Sequence, residues 1–176
     1  MKVVFRLYFD FEKLETWLNE MAAKGWMLQN FFAGLFTFSK GIPGEYIYRV
    51  ELLKHMAGSP KNRPYLHFME ELGAEHIGSW VRWSAYRRKA CDGAFDIYTD
   101  TDLRATHYRR ISRFLLFFGC LEVLFGLLAL FPLIHDAKVA WPGVLFAFFV
   151  GLAFLRVAAR FYKKYRSLKA QKGLYE

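Results

Sequence analysis

Glu122 is the residue of this 176-residue chain whose position most invites chemistry. It stands near the middle of Phe114 to Ile134, a run of 21 residues with no other charge. An acidic side chain at the centre of a membrane helix costs about 2.5–3.5 kcal/mol on insertion scales, so Glu122 is expected to face protein. It then serves as a proton- or ligand-linked switch, as a polar bond to a partner helix, or more plainly as a carboxyl satisfied by a neighbouring backbone or hydroxyl group. His67 and Glu71, four residues apart with His76 nearby, have the donor types of a metal site. Such pairs are common on solvated helix faces, and no metal is expected. No glycine-rich phosphate loop follows a strand, and there is no nucleophile elbow. Cys91 lies in a turn beside Asp92, whose charge disfavours the thiolate. The sequence therefore predicts no catalytic residues, no metal, no cofactor and no enzymatic activity.

Two basic-aromatic segments remain. Arg82, Trp83, Tyr86, Arg87 and Arg88, with Lys89, mix cations and aromatic rings on one strand. A platform for single-stranded nucleic acid has this composition, and so has an exposed sheet edge beside an anionic membrane. The apolar runs favour the second reading, so nucleic acid is set aside and these residues are a candidate partner surface. Arg160, Lys163, Lys164 and Arg166 follow the second apolar run and are candidates for anionic lipid contact, each cation contributing about 1 kcal/mol near such a leaflet. Orientation in the membrane would alone explain them.

The elements that must position these residues divide the chain. Val139 to Leu155 adds 17 uncharged residues to the first apolar run. A spanning helix needs about 20 apolar residues, within a range of about 17 to 25. We therefore expect transmembrane helices over 114–134 and 139–157, joined by an outside loop at 135–138. Residues 1–113 hold 17 Lys/Arg against 13 Asp/Glu, and residues 156–176 hold seven basic residues against Glu176. Basic residues stay in the cytoplasm. Both termini are thus expected there, with a connecting helix at 101–113, a basic tail at 158–176 and no signal peptide. Gly119, Glu122 and Gly126 share one face of the first span, and Gly143, Ala147 and Gly151 one face of the second. Small residues at this spacing let helices pack closely, either within the hairpin or in a homo-oligomer.

Residues 1–100 read as an α+β domain. Val3 to Phe9 is a strand, and Asp10 is the N-cap of a helix marked by Leu14, Trp17, Leu18 and Met21. Gly25 ends that helix. Met27 to Ser39 reads as one bent strand around Gly34, and Tyr46 to Leu52 alternates as a half-buried strand. The pattern recurs about 48 residues later. A helix begins at Pro64 and stops at Gly73, Ile77 to Lys89 is strand-like, and Cys91-Asp92-Gly93 predicts a hairpin turn into a last strand at Phe95 and Ile97. The expected architecture is one antiparallel sheet from two helix–strand–strand repeats, with both helices on one face and a polar linker at 53–63.

The run Trp17-Leu18-Asn19-Glu20-Met21-Ala22-Ala23-Lys24-Gly25-Trp26, the segments Phe38-Ser39-Lys40-Gly41 and Pro43-Gly44-Glu45-Tyr46, and the later Gly73-Ala74-Glu75-His76-Ile77-Gly78-Ser79 and Arg87-Arg88-Lys89-Ala90 resemble the bacterial domain-of-unknown-function family 2812. The resemblance covers roughly residues 2–113, and a two-span tail is a common continuation. Members resemble membrane partners encoded beside PadR-type transcription regulators, and the family supplies no catalytic residues to carry over. The expectation is a two-span protein of the bacterial cytoplasmic membrane, acting as a non-enzymatic adaptor or sensor that binds a protein partner, with a regulator as the implied class. An accessory subunit of a transporter or envelope-stress complex is the alternative, and a membrane-tethered enzyme ranks behind both.

Overall fold

The computed structural model describes residues 1–98, 100–131 and 141–172. The expected outside loop at 135–138, and the ends of the apolar runs beside it, lie outside these residues. Two compact units divide the chain, Met1–Ile97 and Tyr98–Glu176. The first is α+β and the second is a pair of long helices.

The first unit opens with strand β1 (Lys2–Phe5) and helix α1 (Phe11–Ala23). Asp10 caps α1 as expected, its carboxylate accepting from the Glu12 backbone N–H at 3.1 Å. Gly25 terminates the helix at φ +76°. Strands β2 (Trp26–Phe32) and β3 (Leu35–Lys40) follow. The expected single bent strand is instead a hairpin, because Ala33 and Gly34 both adopt positive φ, the geometry of a two-residue turn that matches strand twist. Strand β4 (Tyr46–Leu52), helix α2 (Arg63–Glu71), strand β5 (Glu75–Trp80) and strand β6 (Trp83–Lys89) complete the unit. Ile77 to Lys89 is likewise a hairpin, turning at Val81-Arg82 with Val81 at φ +57°.

The strands form two three-stranded antiparallel sheets, ordered β1-β3-β2 and β4-β6-β5. This corrects the expectation of one shared sheet. The sheets come closest at β2 and β5, where Gly78 approaches Asn30, but these two strands share no ladder. Both sheets have the same order, and each carries a bulge in its middle-numbered strand, between Leu28 and Asn30 in β2 and between His76 and Gly78 in β5. The predicted last strand at Phe95 and Ile97 does not form. β6 already pairs with β4 on one side and β5 on the other, so no ladder is open to it. Residues 90–92 make a short 3-10 turn, and Phe95 is buried in a cluster with Met69, Ala74 and Tyr86.

The core of the first sheet is aromatic. Trp17 meets Phe36 and Phe38 edge-on, at centroid distances of 5.0 and 5.6 Å, an arrangement favoured by the ring quadrupoles. The 53–63 segment is tied down rather than free. Arg82 donates through Nε and Nη2 to the Leu53 carbonyl, and the Asn62 amide donates to the His55 and Met56 carbonyls.

The second unit consists of helices α3 (Thr101–Leu128) and α4 (Trp141–Lys172). Both are long and apolar enough to cross a membrane. Asp100 caps α3 through the Asp102 N–H. Past the apolar segment α4 stays helical and packs against the polar first half of α3. Ser112 donates to the Ala158 carbonyl at 2.9 Å, Tyr108 stacks on Phe161, and Lys169 pairs with Asp102 at 3.2 Å.

Candidate functional site

The first unit contains three arrangements of polar or ligand-sized chemistry. The first closes the β4 edge. An edge strand presents unpaired N–H and C=O groups every second residue. Residues 15 and 19 of α1, four apart, rise about 6 Å along the helix, close to the two-residue repeat of a strand. Asn19 exploits the match by accepting from the Tyr48 N–H at 2.8 Å and donating to the Tyr48 carbonyl at 3.0 Å. Glu15 accepts from the Val50 N–H at 2.8 Å. Burial pushes the Glu15 carboxyl up to about 7, against the opposing pull of the Val50 N–H and of the Arg49 guanidinium at 4.0 Å.

The second is a polar row across the β4-β6-β5 sheet. Glu51 lies opposite Ser84, and Ser84 opposite Ser79. Tyr65 of α2 donates to Glu51 at 2.9 Å, Ser79 donates to Ser84 at 3.0 Å, and His76 Nε2 lies 2.8 Å from the Ser79 hydroxyl. Burial pushes the His76 imidazole below its ordinary range. Burial, and then the Glu51 carboxylate, push the Tyr86 phenol up. The Ser79–His76 distance is that of a nucleophile and its base. Ser79 and His76 are both held within the row, Ser79 also bonding Ser84.

The third is a cleft of about 80 Å³ lined chiefly by Tyr8, Phe11, Phe31, Phe36, Trp80 and Trp83, with Arg6 as its cation. Arg6 donates to the Tyr8 hydroxyl at 3.0 Å and lies 5.1 Å from the Trp17 ring centre. Phe11 stacks on Trp83 at 6.0 Å. The two hairpins approach closely here: a Cβ on Gly78 would sit 3.2 Å from the Asn30 side-chain oxygen. Apolar walls with few polar groups are the general character of ligand and peptide pockets.

The residues singled out from sequence are placed unevenly. Arg82, Trp83, Tyr86, Arg87 and Arg88 do not form an exposed edge, because β6 is the central strand of its sheet. Tyr86 is fully buried. Arg82 is bound to the 53–54 backbone. Arg87 makes a two-pronged bond to Glu75, both distances 2.7 Å, and covers the Tyr46 ring. Trp83 alone of the five lines the cleft. His67 and Glu71 are exposed and 3.5 Å apart, while His76 is engaged in the polar row. Among the described residues no three His, Cys, Asp or Glu side chains are grouped to hold a metal. Cys91 is exposed beside Asp92.

In the second unit the small residues meet within the hairpin. A Cβ on Gly119 would sit 3.2 Å from the Gly151 carbonyl, a Cβ on Gly151 would sit 2.9 Å from Val123, and one on Gly126 would meet Phe148. Gly143 faces open space and Ala147 is half-buried. Glu122 is half-buried and makes no hydrogen bond or ion pair among the described residues. Lys164 covers the Tyr108 and Phe161 rings, Arg160 also lies over Phe161, and Arg160, Lys163 and Arg166 are exposed. Sequence reasoning missed Glu15, Asn19 and Glu51. Glu15 and Asn19 did carry a signal: two polar residues four apart, flanking the apolar stripe of Leu14 and Leu18.

The profile of the family described as protein of unknown function (DUF2812) matches residues 10–120. The chain belongs to that family. The match extends from the α1 cap across both sheets and into the apolar half of α3, so it takes in part of the helical unit of this DUF2812 member. No curated protein and no solved structure matches the chain.

Proposed function

We propose that this DUF2812 protein is a non-enzymatic adaptor or sensor anchored by two membrane spans, whose sheet unit faces the cytosol and binds a protein partner. The observation that carries the reading is α3. It runs unbroken from Thr101 to Leu128, polar and basic through Arg113 and apolar from Phe114. Such a rod transmits displacement of its apolar half to its polar half, because bending an α-helix without Pro, Gly pairs or a bulge is costly. The basic residues at 104–113 and 156–172 support a cytosolic side for both ends.

The aromatic cleft is the place for the partner, taking an apolar side chain. A transcription regulator is the class that the family resemblance suggests. The like strand orders and the bulges 48 residues apart support an origin from two β-α-β-β units, with β4 opening the second. The test places a photo-crosslinking residue at Trp83 of the full chain in native membranes, with Lys61 as the control position. Capture of one cytosolic protein from position 83 and not from 61 is expected. Absence of any such capture, in both unstressed and envelope-stressed cells, would sink the reading.

A second reading rests on Glu122. With Gly119, Gly126 and Gly151 used inside the hairpin, the remaining polar group of the apolar segment lacks an intrachain partner among the described residues. An accessory role beside another membrane protein follows if a partner helix satisfies it. Glu122→Gln should then abolish co-purification of that protein, whereas the cytosolic-adaptor reading predicts no change.

A further inference from the structure

The aromatic cleft of the sheet unit carries a single charge. Among the described residues that line it, Arg6 alone is ionised, and none is Asp or Glu. The Phe11, Phe31 and Phe36 rings are buried, Tyr8 and Trp83 are half-buried, and Trp80 is 37% exposed. The cleft thus passes from a covered apolar interior to an open aromatic rim. Its volume of about 80 Å³ is well under the roughly 300–1,000 Å³ of pockets that enclose a drug-sized molecule. It has room for one small side chain.

Arg6 lies on the same side of its strand as these rings. Its guanidinium covers Trp17, which packs on Phe36, and it donates one N–H to the Tyr8 hydroxyl. A guanidinium has five N–H donors. Arg6 is exposed and makes no ion pair among the described residues, so donors remain for an anion. Tyr8 holds the group beside the cleft, and a carboxylate can then take two parallel N–H bonds. Aromatic walls alone would also attract a quaternary ammonium, but Arg6 repels a cation there. The matching ligand joins a small apolar group to a carboxylate at short range.

In a protein partner that combination is found at a chain terminus. Successive side chains of an extended segment point to opposite faces, and the next on the same face lies about 7 Å along. An Asp or Glu beside an inserted apolar residue therefore points away from the cleft, and one two residues on lies a full strand repeat distant. A C-terminal residue instead carries its carboxylate on the same Cα as its side chain. We propose that the cleft seats the C-terminal residue of the partner, with an apolar side chain against the rings and the α-carboxylate on Arg6. This rests on the reading of the cleft as the partner's place and names the part of the partner it takes.

The test measures fluorescence anisotropy of a fluorescein-labelled tetrapeptide, Gly-Gly-Ser-Leu, with the full chain in phosphatidylcholine nanodiscs. One form of the peptide ends in the free carboxylate and the other in an amide. The carboxylate form is expected to bind about fivefold more tightly, the upper range for an exposed ion pair. Arg6→Gln should remove the difference by weakening that form alone, Arg6→Lys should retain part of it, and Trp80→Ala should weaken both forms alike. Equal binding of the two forms, or a preference that survives Arg6→Gln, would overturn the proposal and leave the cleft as the seat of an internal apolar residue. Binding of neither form would overturn it outright. Displacement of the peptide by tetramethylammonium would give the cleft to a cation, and binding of 4-methylpentanoate as tight as that of the peptide would give it to a free acid; either overturns the chain terminus. A peptide preference that holds while position 83 captures no cytosolic protein in cells would sink the adaptor reading and leave the carboxylate subsite standing.

Discussion

The two sheets of this DUF2812 protein have the same strand order and opposite surfaces. The β4-β6-β5 sheet is closed. Its β4 edge is bonded to Asn19 and Glu15, Glu51 and Ser84 of its polar row are buried, and its strand carboxylates Glu51 and Glu75 bond Tyr65 and Arg87. The β1-β3-β2 sheet is open. It has no strand carboxylates, its β1 edge pairs with no further strand among the described residues, and its outer face is apolar. One topology thus serves either as a sealed structural layer or as a surface for contact. Side chains decide which, because backbone edges and sheet faces tolerate exposure only when something paired, charged or apolar covers them.

The largest effect is expected where the closed sheet meets α1. Tyr48 is fully buried, and its hydroxyl accepts from the Leu28 N–H at the β2 bulge at 3.0 Å. Tyr48→Ala should cost about 3–5 kcal/mol, the range for emptying a large aromatic site. Denaturant unfolding of the purified full chain, followed by tryptophan fluorescence, would measure it. A loss below 1 kcal/mol would show that the two layers are not joined through this ring.

Glu15 supplies the next effect. Its folded-state value of about 7 lies above the unfolded 4.5, so the folded form binds the proton more tightly. Stability from this group is full below pH 4.5, falls as pH rises towards 7, and is gone above. The span amounts to about 3 kcal/mol at most. Glu15→Gln keeps an oxygen for the Val50 N–H and should flatten that slope, leaving the variant more stable than wild type at pH 8. Unchanged pH dependence would mean that the edge closure does not involve a titrating carboxyl.

The turns give a smaller contrast. Val81 holds φ +57°, a conformation that β-branched residues avoid, while Ala33 at the equivalent turn of the open sheet holds +48°. Val81→Gly should gain about 1 kcal/mol, and more than Ala33→Gly, by releasing local strain. Equal gains would remove the distinction between the hairpins. Least of all, Phe5→Ser on the open face should change stability by no more than about 0.5 kcal/mol, as for exposed positions generally. A larger loss would mean that this face is covered within the protein.

Local signals were legible where they act locally. Asp10, Gly25 and Gly73 punctuate α1 and α2 through capping geometry that involves only neighbouring residues, and the two apolar runs stand out by composition alone. The hairpins were not legible, because Ala33-Gly34 and Val81-Arg82 lack the Asn-Gly or Asp-Gly pairs that announce such turns. Asp92-Gly93 does carry that signal and makes no hairpin, since β6 has no free edge left to pair. The basic-aromatic run at 82–88 looked like a surface because composition does not reveal which strand is central.

The sequence by itself determined the division into a charged sheet unit and an apolar helical pair, the helices of each, and the glycines that end α1 and α2. These follow from periodicity, caps and hydropathy, which are properties of adjacent residues. Tertiary structure alone decided that there are two sheets, that β4 opens the second, and that Glu15 and Asn19 close its edge across some 30 residues of chain. Those outcomes depend on which backbone donors are left unpaired after folding, a quantity that no local window of sequence contains.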